Sequence, residues 1–285
     1  MSQILPPKPH QKKKRLRNWL IFIILGIIYV WAFKGIYERA DWSVFDNLGE
    51  KFNRVIPKLF NPDWAETEKV WEYLVETVFI AYAGTLIAAI LAVPFGFWAA
   101  KNMVKSPIWN TLGKWILILD RTFPELILAI LFVITVGPGP FAGVLTIGLT
   151  AFGMLGKLYA EIIESIDMKV VEAMEANGAN KMQILFYAIF PQVLPEFLSF
   201  ALYRFEIDIR ASTILGLVGA GGIGTLIVIA AANRNWEQLG LILLGIIIVV
   251  SLIDFVSTKI RKTFSIINES CLFLEQLFFI YIFFN

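Results

Sequence analysis

Apolar positions along this chain gather in long blocks, with no strand-like alternation and no single amphipathic stripe. Six blocks reach or approach the roughly 20 residues that a helix needs to cross a bilayer. They are 19–33 with its flanks, 77–100, 112–136, 141–160, 197–217 and 239–256. The first is short and can be extended by Leu16 and Gly35. Alternating ten-residue segments of the barrel type are absent from the sequence. In lipid every backbone amide must be satisfied within its own element, so the blocks predict helices. The expected fold class is an all-α membrane protein with about six transmembrane helices.

Charge assigns the sides. Residues 1–18 hold Lys8, Lys12, Lys13, Lys14, Arg15 and Arg17 with no acid, which predicts a cytoplasmic N-terminus. Residues 34–76, where acids outnumber bases, then fall outside, and Lys101 and Lys105 fall inside. Gly137-Pro138-Gly139-Pro140 reads as a tight external turn. Residues 161–195 return inside, 218–237 lie outside, and Lys259, Arg261 and Lys262 end inside. The organisation expected is a basic tail (1–18), a first transmembrane helix (19–35), an extracytoplasmic amphipathic segment (36–75), a membrane core (76–262) with a cytoplasmic loop (168–191), and an atypical apolar tail (263–285). The external segment carries Trp42, Phe45, Phe52, Phe60, Trp64 and Trp71. It reads as an interfacial helix, or alternatively as a contact surface for an extracytoplasmic protein.

Composition narrows the chemistry. Hydrophobic residues make up 58% of the chain, and mean hydropathy is +0.69, above a soluble domain. Net charge is only +2, and the basic arm is too short to suggest nucleic-acid binding. No small-residue cleavage site follows the first apolar block, so a cleaved signal peptide is not expected. One cysteine, Cys271, and one histidine, His10, leave no internal disulfide, and no metal site is expected.

One polar loop interrupts the apolar pattern with an organised sequence. From Val171 it runs Glu172-Ala173-Met174-Glu175-Ala176-Asn177-Gly178-Ala179-Asn180-Lys181-Met182-Gln183 and on to Pro191. Gly178 suits the left-handed turn that closes a helix. Asn180 and Gln183 have the spacing of a capping box, and Pro191 and Pro195 mark re-entry into the membrane. The spacing predicts two short helices at an angle, a rigid lever at the membrane surface. The segment resembles the EAA loop of ABC-importer permeases in Glu172, Ala173, Gly178 and the distance to Pro191, with Met174 in place of a second alanine. That resemblance implies that the loop docks into a groove on an ATPase subunit.

A second segment reads Leu215-Gly216-Leu217-Val218-Gly219-Ala220-Gly221-Gly222-Ile223-Gly224. It resembles permeases for phosphonates, methionine and some compatible solutes. The approach through Glu206 and Arg210, and the run Arg121-Thr122-Phe123-Pro124-Glu125, are most similar to the phosphonate branch. The resemblance covers about residues 75–262 and implies a type I, MetI-like permease bundle. Gly219, Gly221 and Gly224 also fit the dinucleotide fingerprint, but no strand–turn–helix context surrounds them. With Gly222 they read as a helix end and close backbone packing.

Charges inside spans are expensive and mark functional positions by default. Asp120, Arg121 and Glu125 lie in the third span, and Arg204, Glu206, Asp208 and Arg210 in the fifth. Arg204 with Asp208, and Glu206 with Arg210, are each four residues apart and can neutralise one another. The alternative is that Arg121, Glu125, Arg204, Glu206 and Arg210 line a polar path for an anion, since a guanidinium suits an oxyanion bidentately. The sequence holds no Walker-type phosphate loop, so no cofactor is expected on this chain and ATP is expected on a partner. The resemblance implies two permease copies in a lipid bilayer, two ATPase subunits and one extracytoplasmic binding protein. The expected cargo is phosphonate or a related oxyanion, with methionine or a compatible solute as the second choice. An intramembrane enzyme using Asp120 and Glu125 lacks a nucleophile or metal cluster to complete a site. A passive channel has no use for an EAA loop. The run 271–284 is too short for a comfortable span. Its Phe/Ile/Tyr bias reads as a frameshifted or read-through end, and transport is expected to survive truncation after Lys262.

Overall fold

A computed structural model describes residues 11–39, 48–104 and 106–284, with side chains placed for 17–39, 49–50, 52–104 and 106–263. Lys8, His10, Trp42, Phe45 and Lys105 lie outside the described residues. So do the side chains of Lys12, Lys13, Lys14, Arg15 and Cys271. The chain divides into two units, residues 1–56 and 57–285. In the first, α1 (Gln11–Arg39) is one helix. Next, α2 (Leu48–Leu59) runs over the boundary between the units. It places Phe52, Val55, Ile56 and Leu59 on one face, opposite Glu50, Asn53 and Lys58, so the amphipathic pattern does form a helix.

The second unit is a helical bundle. After a 3-10 turn (Trp64–Glu66) come α3 (Thr67–Ala99), α4 (Pro107–Asp120), α5 (Glu125–Val136) and α6 (Pro140–Ser165). The loop helices are α7 (Met168–Ala176) and α8 (Lys181–Ile184), followed by a π-turn (Leu185–Ile189) and α9 (Phe190–Leu215). A 3-10 turn (Gly216–Val218), α10 (Ile223–Ala232) and α11 (Trp236–Phe284) complete it. Five helical stretches are long and apolar enough to cross a membrane, Arg17–Arg39, Trp64–Ala99, Pro140–Ser165, Lys181–Val218 and Trp236–Thr263.

Helices α3 and α6 form the centre, packed through small residues. Ala81, Gly84, Thr85, Ala88, Ala92, Gly96 and Ala99 make a buried stripe on α3. A Cβ on Gly84 would lie 2.7 Å from Ile147, and one on Gly96 would lie 2.9 Å from Tyr159. Without a hydrophobic drive between helices in lipid, this close backbone approach is what holds them together. Tyr159 then stacks on Phe197 of α9 with ring centroids 4.0 Å apart, and its hydroxyl donates to the Phe197 carbonyl at 3.2 Å.

Five features depart from the sequence pattern. The third span is two helices, α4 and α5, broken at residues 121–124. Pro124 has no N–H and disfavours helical geometry at Phe123, so one apolar block becomes two half-length helices. The stretch 218–237, expected to be an external loop, contains α10. The second loop helix does not stop before the fifth span, since α8, the π-turn and α9 are continuous over Lys181–Val218. Pro191 leaves the carbonyl one turn back without a donor, and the wider π-turn just before it accommodates that loss. Helix α3 starts ten residues before the apolar block beginning at 77, and α11 continues without interruption to Phe284.

Candidate functional site

In the loop between α6 and α9, both ends of α7 and the start of α8 are capped. Asp167 accepts from the Lys169 N–H at 2.9 Å and starts α7. At its end, the Gly178 N–H donates to Glu175 at 3.0 Å and the Ala179 N–H to Met174 at 3.1 Å. Those two bonds, with Gly178 at φ 77°, form a Schellman closure. Asn180 and Gln183 complete the reciprocal capping box at 2.8 and 2.9 Å. Val171 and Ile184 anchor the loop in the cluster that holds Tyr159 and Phe197. Gln192 accepts from the Asp167 N–H at 3.1 Å, and Glu164 takes both the Lys101 N–H and the Lys114 ammonium at 2.9 Å. Glu172, Ala173 and Gly178 stay exposed on the outside of this braced element, and Pro191 opens α9.

The five charged positions proposed for a path separate into two groups. Arg204 and Glu206 are about 200° apart around α9, so they face different neighbours. On one side, the Arg204 Nε lies 2.8 Å from Asp208 Oδ1, and Asp208 Oδ2 accepts from the Thr85 hydroxyl at 2.7 Å. Arg204 also approaches Met154 Sδ at 3.1 Å and Thr150 Oγ1 at 3.5 Å. Its field reaches Glu125 and Asp120. Asp120 is held in turn by the Gly153 N–H at 2.8 Å. Glu125 Oε1 is buried with no hydrogen-bond partner, and Arg121 is exposed at the helix break.

On the other side, Glu206 joins Arg210 at 3.0 Å and Arg261 at 3.1 Å. Arg210 continues to Asp254 at 3.6 Å. This network ties α9 to α11. Among the described residues no acids converge into a metal-holding group.

Depth distinguishes the first group. Arg121 follows the 14 residues of α4 and precedes the 12 of α5. At 1.5 Å per residue it is about 20 Å from either end. Thr85 on α3, Gly153 on α6 and Arg204 on α9 also lie roughly 20 Å from the nearer span end. The cluster therefore sits at the mid-depth of the bundle.

The glycine run forms a turn at the bundle end opposite the capped loop. Gly219, Gly221 and Gly222 all take positive φ. Gly139 of the Gly-Pro turn donates to the Gly219 carbonyl at 2.9 Å, so these two segments meet. Gly222 has no side chain to cap α10, and α3 supplies the cap instead. Glu76 Oε1 accepts from the Gly222 N–H at 3.2 Å, and Thr77 Oγ1 from the Ile223 N–H at 2.8 Å. Gly224 packs against Gly216, and the run follows a helix, unlike a dinucleotide loop.

Sequence reasoning missed Thr85, Asp167, Gln192, Glu76 and Thr77. Only Asp167, directly before a helical run, carried a local cap signal. The others act across helices.

The Binding-protein-dependent transport system inner membrane component family matches residues 92–264. The phosphite transport system permease protein PtxC of Stutzerimonas stutzeri is 40% identical over 203 residues, 71% of this chain and 74% of that protein. The phosphate-import permease protein PhnE of Mycolicibacterium smegmatis is 36% identical over 220 residues, 77% of this chain and 40% of that one. Among solved structures, the inward-facing MetNI methionine ABC transporter superposes with a TM-score of 0.61 at 21% identity, covering 71% of this chain and 99% of its own. These likenesses give the bundle its fold and exclude the intramembrane-enzyme reading. The chain belongs to the binding-protein-dependent transport system inner membrane component family and is a multi-pass permease subunit of an ABC importer.

Proposed function

We propose that this permease imports a phosphorus oxyanion, phosphite, phosphonate or phosphate, through the bundle at the level of the α4–α5 break. Two relatives above 35% identity are named for phosphite and phosphate transport. The observation that carries the path is Arg121. It is exposed, makes no ion pair among the described residues, and lies midway along an interrupted span. A charge at that depth costs roughly 2.5–3.5 kcal/mol against lipid, so Arg121 faces water or a second copy of the chain. Broken helices at mid-depth are where transporters bind cargo.

In this reading two copies form the conduit, an extracytoplasmic binding protein delivers cargo, and two ATPase subunits dock on Glu172, Ala173 and Gly178. ATP stays with those subunits. The capped loop and the N-terminus are cytoplasmic, in the inner membrane of a bacterium. The complex is to be reconstituted with its ATPase and binding protein in vesicles. ATP-dependent uptake of phosphite, methylphosphonate or phosphate, lost in Arg121→Ala with assembly intact, supports the reading. Uptake of methionine alone, or full oxyanion uptake by Arg121→Ala, overturns it.

A further inference from the structure

The Arg204 group contains more donors than acceptors reach. A guanidinium has five N–H groups. The Nε lies 2.8 Å from Asp208 Oδ1 as an ion pair, but its N–H is not aligned on that oxygen, and neither atom has a hydrogen bond among the described residues. The terminal nitrogens meet only a thioether at 3.1 Å, a weak acceptor, and a hydroxyl at the long distance of 3.5 Å. That hydroxyl, on Thr150, donates its own hydrogen to Thr146 at 3.0 Å. Two hydrogen-bond partners against five donors leave the Nε–H and two terminal N–H groups without an acceptor among the described residues, on a residue only 9% exposed. A buried polar group is normally satisfied, so this deficit points to an acceptor that comes and goes.

The rest of the group is arranged to keep those donors available. Asp208 is fully buried and engages the Nε edge alone. Its other oxygen accepts from the Thr85 hydroxyl, whose single hydrogen is shared with the Ala81 carbonyl, each at 2.7 Å, and this contact orients the carboxylate away from the terminal nitrogens. Glu125 lies in the field of Arg204 but outside ion-pair distance, with its buried Oε1 unbonded. We infer that Asp208 and Thr85 are positioning residues that present the terminal N–H groups of Arg204 to a passing oxyanion, with Glu125 as the resident counter-charge that the oxyanion displaces. A competitor of this kind explains how an arginine can accept a phosphorus oxyanion bidentately and still release it, as conduction requires. The inference rests on the oxyanion reading above, and adds to it the residues that fix affinity.

The test uses the full complex in detergent and in vesicles. Equilibrium dialysis with radiolabelled phosphite, without the binding protein, measures direct retention. Glu125→Gln is expected to retain phosphite at least tenfold more tightly than the unaltered complex, and Glu125→Gln/Arg204→Ala to lose that gain. Thr85→Val is expected to cut uptake per assembled complex several-fold, with Thr85→Ser restoring it. Unchanged retention in Glu125→Gln, together with normal uptake by Thr85→Val, overturns the inference while leaving oxyanion import intact. Failure of the unaltered complex to import any oxyanion overturns the underlying reading instead.

Discussion

Gly178 offers a graded test of the loop as a coupling element. Its φ of 77° lies in the left-handed region, and a Cβ there meets nothing within 4 Å. A substitution is therefore penalised by backbone conformation and not by collision. For alanine the penalty is roughly 1–2 kcal/mol. With tenfold per 1.4 kcal/mol, that lowers the population of correctly closed loop about 5- to 30-fold relative to its alternatives. Asparagine tolerates this conformation better and should lose less. Proline is fixed near −65° and has no N–H, so it cannot adopt the turn or make the 3.0 Å bond to Glu175. The expected order of binding-protein-stimulated ATPase activity in vesicles is glycine, asparagine, alanine, then proline, with proline near the unstimulated rate. Membrane insertion should be equal in all four, because Val171 and Ile184 still anchor the loop. Full stimulation in Gly178→Pro, or alanine as damaging as proline, would refute the reasoning.

Three further outcomes are expected. Thr77→Val leaves the buried Ile223 N–H without its 2.8 Å acceptor. The loss should be about 1–3 kcal/mol, read as a lower melting temperature in detergent and rescued by Thr77→Ser. Gly224→Ala places a methyl against the Thr213 carbonyl and should destabilise the complex by about 1–3 kcal/mol, whereas Gly148→Ala, whose methyl meets only an ordinary 3.7 Å contact with the Gly84 carbonyl, should melt closer to the unaltered protein. Arg210→Ala breaks contacts to Glu206 and Asp254, so it should lower thermal stability while uptake per assembled complex stays normal, the reverse of Arg121→Ala.

Patterns that live within one segment were legible in the sequence. Gly178, Asn180 and Gln183 form the closure and capping box their spacing predicts, because a cap needs only its own few residues. The apolar blocks gave four of the long helices together with α1, because hydrocarbon permits few alternatives. The third block misled by hydropathy alone, since the Pro124 break is invisible to an average over 25 positions. Helix α10 was hidden for a related reason. Its start depends on Glu76 and Thr77, about 146 residues away, and no local signal reports that cap. The path residues show the same limit. Four-residue spacing correctly paired Arg204 with Asp208 and Glu206 with Arg210. It could not show that the two pairs face opposite sides of α9, or that Thr85 completes one and Arg261 the other.

The unbroken helix Lys181–Val218 has a consequence for how such a protein tolerates genetic change. The loop and Arg204 are threaded on one rod, so their relative azimuth is set by the number of residues between them. One inserted or deleted codon in that interval would rotate Arg204 by about 100° away from Asp120 and Glu125 while leaving every individual side chain in place. The π-turn at Leu185–Ile189 is itself a one-residue widening of this kind. Point substitutions between 185 and 203 should therefore be borne far better than in-frame single-codon insertions. A scan of both types would map this register as sharply as any contact.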